Sequence, residues 1–335
     1  MLNIGVIGVG AMGRNHVRVY SEMDASRVRL AAIADVNPVV GKRFAEQYNR
    51  RAYTDYREML DQEKLDAVSV VVPTSLHRQV VEEVLERGVA VLLEKPIAGT
   101  HADGRAIIDC ARRKGVTLAI GHIERFNPAV AAMKKRLDAG ALGKLFEIRT
   151  RRLGPIPGRI EDAGVVIDLA THDIDLMQWL VGAPVKRAHA EIQRHVHLAH
   201  EDSFFGLAQF ENGVNALLDV SWLVPTKVRQ TSVVGERGMF VVDTLTQELY
   251  FYENDYLIGS GLPGAPIIEG NMTKIKIEKK EPLRAELEGF VAAVETGAGQ
   301  TVTGEEGLRN LDLALTFLQS ALDGKVIDTS NRVEL

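Results

Sequence analysis

The sequence predicts an α/β protein in two parts, because its apolar pattern changes character near residue 122. Before that point, short apolar runs alternate with stretches of helical periodicity, the signature of a parallel sheet covered on both faces by crossover helices. After it, apolar runs follow one another across short turns, which predicts a large, mostly antiparallel, open sheet. At 335 residues the chain also exceeds one ordinary core. The expected domains are 1–122 and 123–335.

In the first part, the runs 2–7, 29–34, 67–72, 90–93 and 117–120 are rich in Val, Ile, Leu and Ala and read as buried strands. Helical spacing marks 14–23, 38–48, 75–87 and 101–114. Val80, Val81, Val84 and Leu85 show it, one apolar face recurring at i, i+4. In the second part, 126–139 reads as a helix. Strands are expected at 145–151, 188–195, 204–210, 216–222, 229–234, 240–242 and 248–252. Glu211-Asn212-Gly213 and Gly235-Glu236-Arg237-Gly238 supply turns. Helical patterns at 165–180, 282–295 and 304–322 complete the chain.

Composition narrows the function classes. Hydrophobic residues make up 46% and charged residues 25%, as in a soluble globular protein, and the net charge of −5 gives no basic surface for nucleic acid or an acidic membrane. The single cysteine, Cys110, permits neither an internal disulfide nor a thiolate metal cluster. Its place in a helical pattern predicts a buried, inert thiol. The N-terminus lacks the basic start and long apolar stretch of a signal peptide, and no apolar run reaches about 18 residues. A cytoplasmic protein is expected.

Gly8-Val-Gly10-Ala11-Met12-Gly13 follows the first strand and opens the first helix, the context a dinucleotide fingerprint requires. Gly8 permits the tight turn, Gly10 lets backbone approach a pyrophosphate, and Gly13 packs helix on strand. The free N–H groups at the helix start then face the phosphates. Asp35, at the end of the second strand, suits the ribose hydroxyls and repels a 2′-phosphate, favouring NAD over NADP; the alternative is a cap for the helix at Pro38. Pro73 and Thr74 leave the next strand at the same edge. His77 either reaches the cofactor or stands in solvent in the first turn of a helix.

Glu94-Lys95-Pro96 ends another buried strand at that edge, where ligands of open parallel sheets gather. Beside a cationic nicotinamide ring and partly desolvated, Lys95 would have a lowered pKa and could join proton transfer; otherwise it is a surface lysine next to a turn proline. In 163–175, Asp168, His172 and Asp175 recur at i, i+4, i+7 on one face of an otherwise apolar helix. Such a polar stripe must find partners or line a cavity. His172 titrates in the range of a general base, and Asp168 could hold its ring or a substrate hydroxyl. A satisfied core histidine is the alternative, and a metal lacks a third ligand in this stretch. Gly164, at the helix start, allows close approach of another backbone.

These motifs, in this order, resemble the glucose–fructose oxidoreductase, inositol dehydrogenase and rhizopine-catabolism family over about residues 1–325. The resemblance implies an N-terminal Rossmann dinucleotide-binding domain and a C-terminal α/β domain whose open sheet forms homodimers or homotetramers. It implies NAD-dependent oxidation of a ring hydroxyl, with Lys95 and His172 in proton transfer and orientation, and a cis Lys95–Pro96 bond. Ala163 departs from a common Gly-Gly start of the helix motif.

Within the family, 121–128, 152–160 and 165–175 are similar to UDP-N-acetylglucosamine 3-dehydrogenases. For a diphosphate, Arg125, Arg149, Arg151, Arg152 and Arg159 supply cations, with Asn127 nearby. Strand alternation points Arg149 and Arg151 one way and Arg152 the other. A solvated basic edge is the alternative for each. Trp222, Lys227 and Arg229 are either a wall of the site or, for Trp222, core. The reading is a sugar C3-hydroxyl dehydrogenase; the alternatives are an inositol or other polyol dehydrogenase and a non-catalytic sensor of NAD or sugar.

Overall fold

The structure, a computed structural model, describes residues 1–156, 163–197, 199–256 and 267–330. Contacts divide the chain into two compact units, Met1–Phe126 with Glu281–Asp312 and Asn127–Lys280 with Leu313–Leu335.

The first unit is built on β1 (Leu2–Ile7), β2 (Val28–Ala34), β3 (Arg51–Tyr53), β4 (Ala67–Val70), β5 (Ala90–Glu94) and β6 (Leu118–Gly121). They lie in the order β3-β2-β1-β4-β5-β6, all parallel. This is the Rossmann order, which reverses beside β1 and places the ligand crevice at the carboxyl ends of the strands. Ile4, Val6, Ile33, Val68, Val70 and Leu92 are buried, as strands covered on both faces require. The crossovers are α1 (Gly13–Glu22), α2 (Pro38–Gln47), α3 (Tyr56–Gln62), α4 (His77–Glu86) and α5 (His101–Lys114). β3 and α3 were not expected: three and seven residues are too short for a period to register.

The second unit begins with α6 (Pro128–Asp138) and β7 (Leu145–Pro155). A π turn at Val166–Ala170 runs into α7 (Thr171–Val181). Then come β8 (Val185–Gln193), β9 (Ser203–Phe210), β10 (Asn215–Ser221), β11 (Leu223–Gly235), β12 (Gly238–Asp243), β13 (Glu248–Tyr256) and β14 (Ile267–Ile275), with β15 (Ile327–Asp328) near the end. They form one sheet, ordered β14-β13-β12-β11-β7-β10-β9-β8-β15. It is antiparallel except where β10 runs parallel to β7. One face packs Ile148, Phe204, Phe210, Leu218, Val233 and Phe240 against Ile174, Met177 and Leu180 of α7. The other presents Phe205, Leu207 and Leu217, each at least 40% exposed. Gly270 and a largely exposed polar run hide β14 from sequence reading.

α8 (Pro282–Thr296) returns to the first unit, where Leu283, Leu287, Phe290 and Val291 join the core with Ile4, Val6 and Tyr20. α9 (Gly304–Asp323) belongs to the first unit through Asp312 and to the second from Leu313. A single boundary near residue 122 thus describes the first crossing of the chain, at Phe126–Asn127, and leaves out the return at Glu281–Asp312.

Candidate active site

The fingerprint glycines divide into two kinds. Gly8 has φ +87°, and a Cβ there would overlap the Val71 carbonyl oxygen; one at Gly13 would overlap the carbonyl oxygen of Gly8. Those two positions are closed by packing. A Cβ at Gly10 would meet nothing within 4 Å, so Gly10 leaves open ground in front of the first turn of α1, as a pyrophosphate needs. Ala11 and Gly10 are exposed and Met12 half-buried.

Asp35 follows β2 and is half-buried. Its Oδ2 accepts the Val9 N–H at 2.7 Å and its Oδ1 the Asn37 N–H at 2.8 Å. The cap of α2 is Asn37, whose Oδ1 accepts from Val39 and Val40 at 3.1 and 3.3 Å, so capping does not account for Asp35. The carboxylate is instead held against the fingerprint loop. These residues fit the adenosine half of NAD.

Glu94 and Lys95 leave β5 half-buried, and the Lys95–Pro96 bond is cis. Glu94 Oε2 accepts the Lys95 N–H at 3.3 Å. Pro73 is exposed and Thr74 half-buried in the loop after β4. His77 is neither solvated nor open to a ligand. It is buried, with Nδ1 2.9 Å from the Pro96 carbonyl oxygen and Nε2 3.0 Å from that of Val72. Burial pushes its pKa down against the pull of those carbonyls, and a neutral ring donates to one of them at a time. His77 ties the loop carrying Thr74 to the loop carrying Lys95.

In the second unit, Asp168 lies in the π turn and His172 in the first turn of α7, both half-buried, while Asp175 is buried. The group that approaches Gly164 is a side chain, not a backbone. A Cβ there would overlap the Glu201 carboxylate. Glu201 accepts the Val165 N–H on its carbonyl at 3.0 Å and the Val166 N–H on Oε1 at 3.1 Å, satisfying two donors at the helix start. No spacing signal pointed to Glu201, which lies in a loop.

The expected cations separate. Arg152 Nε donates to Asp173 Oδ2 at 2.6 Å in a pair whose side chains are 5% and 2% exposed. Arg125, itself buried, donates from Nη1 to the half-buried Glu306 Oε1 at 2.5 Å. Asn127 caps α6 by accepting from Ala129 at 3.1 Å and donates to the Thr244 carbonyl at 3.0 Å. Arg149 and Arg151 point opposite to Arg152, as alternation predicted. They therefore stand on the exposed sheet face, away from the helix of Asp168 and His172, where Arg151 meets Asp219 at 3.4 Å. Arg159 lies outside the described residues. Trp222 is core and Lys227 is exposed; Arg229 donates to the Leu153 carbonyl at 2.5 Å. Cys110 is buried, and burial raises its thiol pKa, with Glu86 adding to the effect.

A family profile described as an oxidoreductase family with an NAD-binding Rossmann fold matches residues 2–122, and its C-terminal domain profile matches 130–241. The chain is 31% identical to the UDP-N-acetylglucosamine 3-dehydrogenase of Acidithiobacillus ferrooxidans, over 94% of this chain and 95% of that one. A crystal form of that enzyme superposes with a TM-score of 0.84, covering 95% of this chain and 97% of the other at 30% identity. It is 29% identical to inositol 2-dehydrogenase 2 of Saccharopolyspora erythraea, over 96% and 94% of the two chains. The WlbA dehydrogenase of Bordetella pertussis, solved with NADH and UDP-GlcNAcA, shares the fold at 22% identity, with a TM-score of 0.82 over 98% of both chains. The chain belongs to the glucose–fructose oxidoreductase, inositol dehydrogenase and MocA family, and is an NAD-dependent dehydrogenase.

Proposed function

We propose that this enzyme oxidises a ring secondary hydroxyl of a sugar nucleotide, C3 of UDP-N-acetylglucosamine, to the 3-keto sugar. The observation that carries the substrate is the 31% identity, across 94% of the chain, to an enzyme of that name. The arginines do not carry it, since Arg125 and Arg152 already hold Glu306 and Asp173. A polyol such as inositol is the second reading, favoured by the 29% identity to an inositol 2-dehydrogenase.

Gly8, Gly10, Ala11, Met12 and Gly13 hold the cofactor phosphates and Asp35 the adenosine ribose. Pro73, Thr74, Glu94 and Lys95 flank the nicotinamide end, and His77 positions that edge. When bound, NAD takes up the carbon-bound hydrogen with its electron pair. His172 accepts the hydroxyl proton and Asp168 orients it, while Lys95 serves orientation and proton transfer at the nicotinamide end, so the protein contributes positioning and matched proton transfer. Two residues able to move protons argue against a mere sensor. We assign the enzyme to the cytoplasm; no described helix is long and apolar enough to cross a membrane. The exposed face bearing Phe205, Leu207 and Leu217 is the surface on which we expect copies to pair.

The test is NADH absorbance after mixing protein with NAD and UDP-N-acetylglucosamine, with myo-inositol and NADP in parallel. A rise with the sugar nucleotide and NAD, lost in Lys95→Ala and lowered at least about 100-fold in His172→Ala, supports the reading. A rise with inositol alone replaces the substrate. Loss of NADH binding in His172→Ala contradicts its assignment to the substrate.

A further inference from the structure

His16 is fully buried in the first turns of α1, and no part of the chemistry above uses it. Its Nε2 lies 3.1 Å from Glu94 Oε1. An ionised carboxylate only accepts, so the ring donates through Nε2. The other oxygen of the same carboxylate accepts the backbone N–H of Lys95 at 3.3 Å. Glu94 thus stands between a fixed ring and the residue at the centre of the proposed chemistry. The ring is backed by Tyr20, edge-on at 6.5 Å, and Tyr20 is itself anchored by a hydroxyl contact of 2.9 Å to Ser69 on β4. Gly121, which pairs with Glu94 across β5 and β6, leaves the room the carboxylate occupies: a Cβ there would come within 3.1 Å of it. A half-buried carboxylate at a strand end needs donors, and these two N–H groups supply one to each oxygen.

We propose that His16 is a positioning residue for Lys95, acting through the Glu94 carboxylate. The helix that opens at the cofactor fingerprint thereby fixes the loop that carries the lysine. This rests on the role of Lys95 proposed above. Loss of the donor releases Glu94, and with it the Lys95 backbone, so the lysine becomes more mobile and more accessible.

The test reads Lys95 itself. The full-length protein is acetylated with limiting acetic anhydride, and the rate at Lys95 is measured by mass spectrometry relative to Lys42, whose side chain is 75% exposed. His16→Leu should raise the relative rate at Lys95 at least about fivefold, because one bond to a charged acceptor no longer holds the loop closed. His16→Gln, which restores a donor, should return it to within about twofold. Gly121→Ala, which crowds the carboxylate from the other side, should raise it as His16→Leu does, and stands in should His16→Leu not fold. Unchanged labelling of Lys95 in folded His16→Leu or Gly121→Ala overturns the proposal, as does an equal rise in His16→Gln. Lys95→Ala separates the two claims: full turnover in that variant removes the chemical role of the lysine, whereas the labelling reports only how it is held.

Discussion

The loop before β9 hangs on one carboxylate, and its removal has a calculable effect. Asp202 Oδ2 accepts backbone N–H groups from His195, Val196 and His197 at 2.8, 2.6 and 3.0 Å, and the residue is fully buried. Burial works to raise its pKa, but the three donors outweigh it and hold the group below its ordinary 3.8. Asp202→Asn keeps the shape and removes the charge. Bonds to a charged acceptor are worth about 1.5–3 kcal/mol each and neutral ones about 0.5–1.5. Three weakened bonds, less the easier burial of an amide, give a loss of about 2–4 kcal/mol. For a domain of 150–250 residues that lowers the melting midpoint by roughly 4–16 °C. The sign with pH follows from the depressed native pKa. The stabilisation is present above the unfolded value and is lost as pH falls through the native one. The gap between the two proteins is therefore widest at neutral pH and closes below about pH 4. Thermal unfolding followed by circular dichroism at neutral and acid pH measures both quantities. A drop under about 2 °C at neutral pH, or a gap that ignores pH, would refute the reasoning.

Asp35→Ala should raise the KM for NAD roughly 10–100-fold, the worth of a bond donated by a ribose hydroxyl to a charged acceptor, and relax rejection of NADP; initial rates with both cofactors check it. Asp35→Asn keeps only one oxygen for the N–H groups of Val9 and Asn37, so an unchanged melting midpoint in each variant is what separates that effect from loosening of the loop. Gly164→Ala forces Glu201 aside and should cut turnover roughly 100-fold, the scale of a misplacement near 1 Å, with NADH affinity unchanged; full turnover would show that the helix start does not govern His172. On the proposed pairing face, Leu207→Glu, opposite Leu217, should shift the sedimenting species to monomer without lowering the melting midpoint; a parent protein that sediments as a monomer, or an unchanged mass, removes that face as an interface.

The first unit was legible because its signals are local. A buried parallel strand is a continuous apolar run, and the fingerprint glycines, Asp35 and Glu94-Lys95-Pro96 each stand where such a run ends. The return of α8 to that unit was not legible, since its apolar face at Leu283, Leu287 and Phe290 does not say which core it fills. The arginines illustrate the same limit. Strand alternation gave the opposite directions of Arg151 and Arg152 correctly, but that Asp173 and Glu306 hold Arg152 and Arg125 depends on pairs 21 and 181 positions apart. His16 carried a signal that could have been read: a histidine on the otherwise apolar face with Val17 and Tyr20, so buried and in need of a partner.

The helix of Asp168 and His172 shows why spacing alone does not fix a site. The i, i+4, i+7 rule assumes 3.6 residues per turn. Val166–Ala170 is instead a π turn, which bonds i to i+5 and shifts everything before it relative to everything after. Asp168 sits inside that turn and His172 beyond it, so their relative phase depends on where the turn begins. Glu201 fixes that point, holding the Val165 N–H with its carbonyl and the Val166 N–H with its carboxylate, from 35 positions away for the latter. Gly164 is the residue that lets the carboxylate in. The absent methyl group at position 164 is therefore part of how Asp168 and His172 are aligned, beside the Gly164 carbonyl that accepts the Asp168 N–H at 3.0 Å, and Ala163 next to it leaves the Glu201 contact intact.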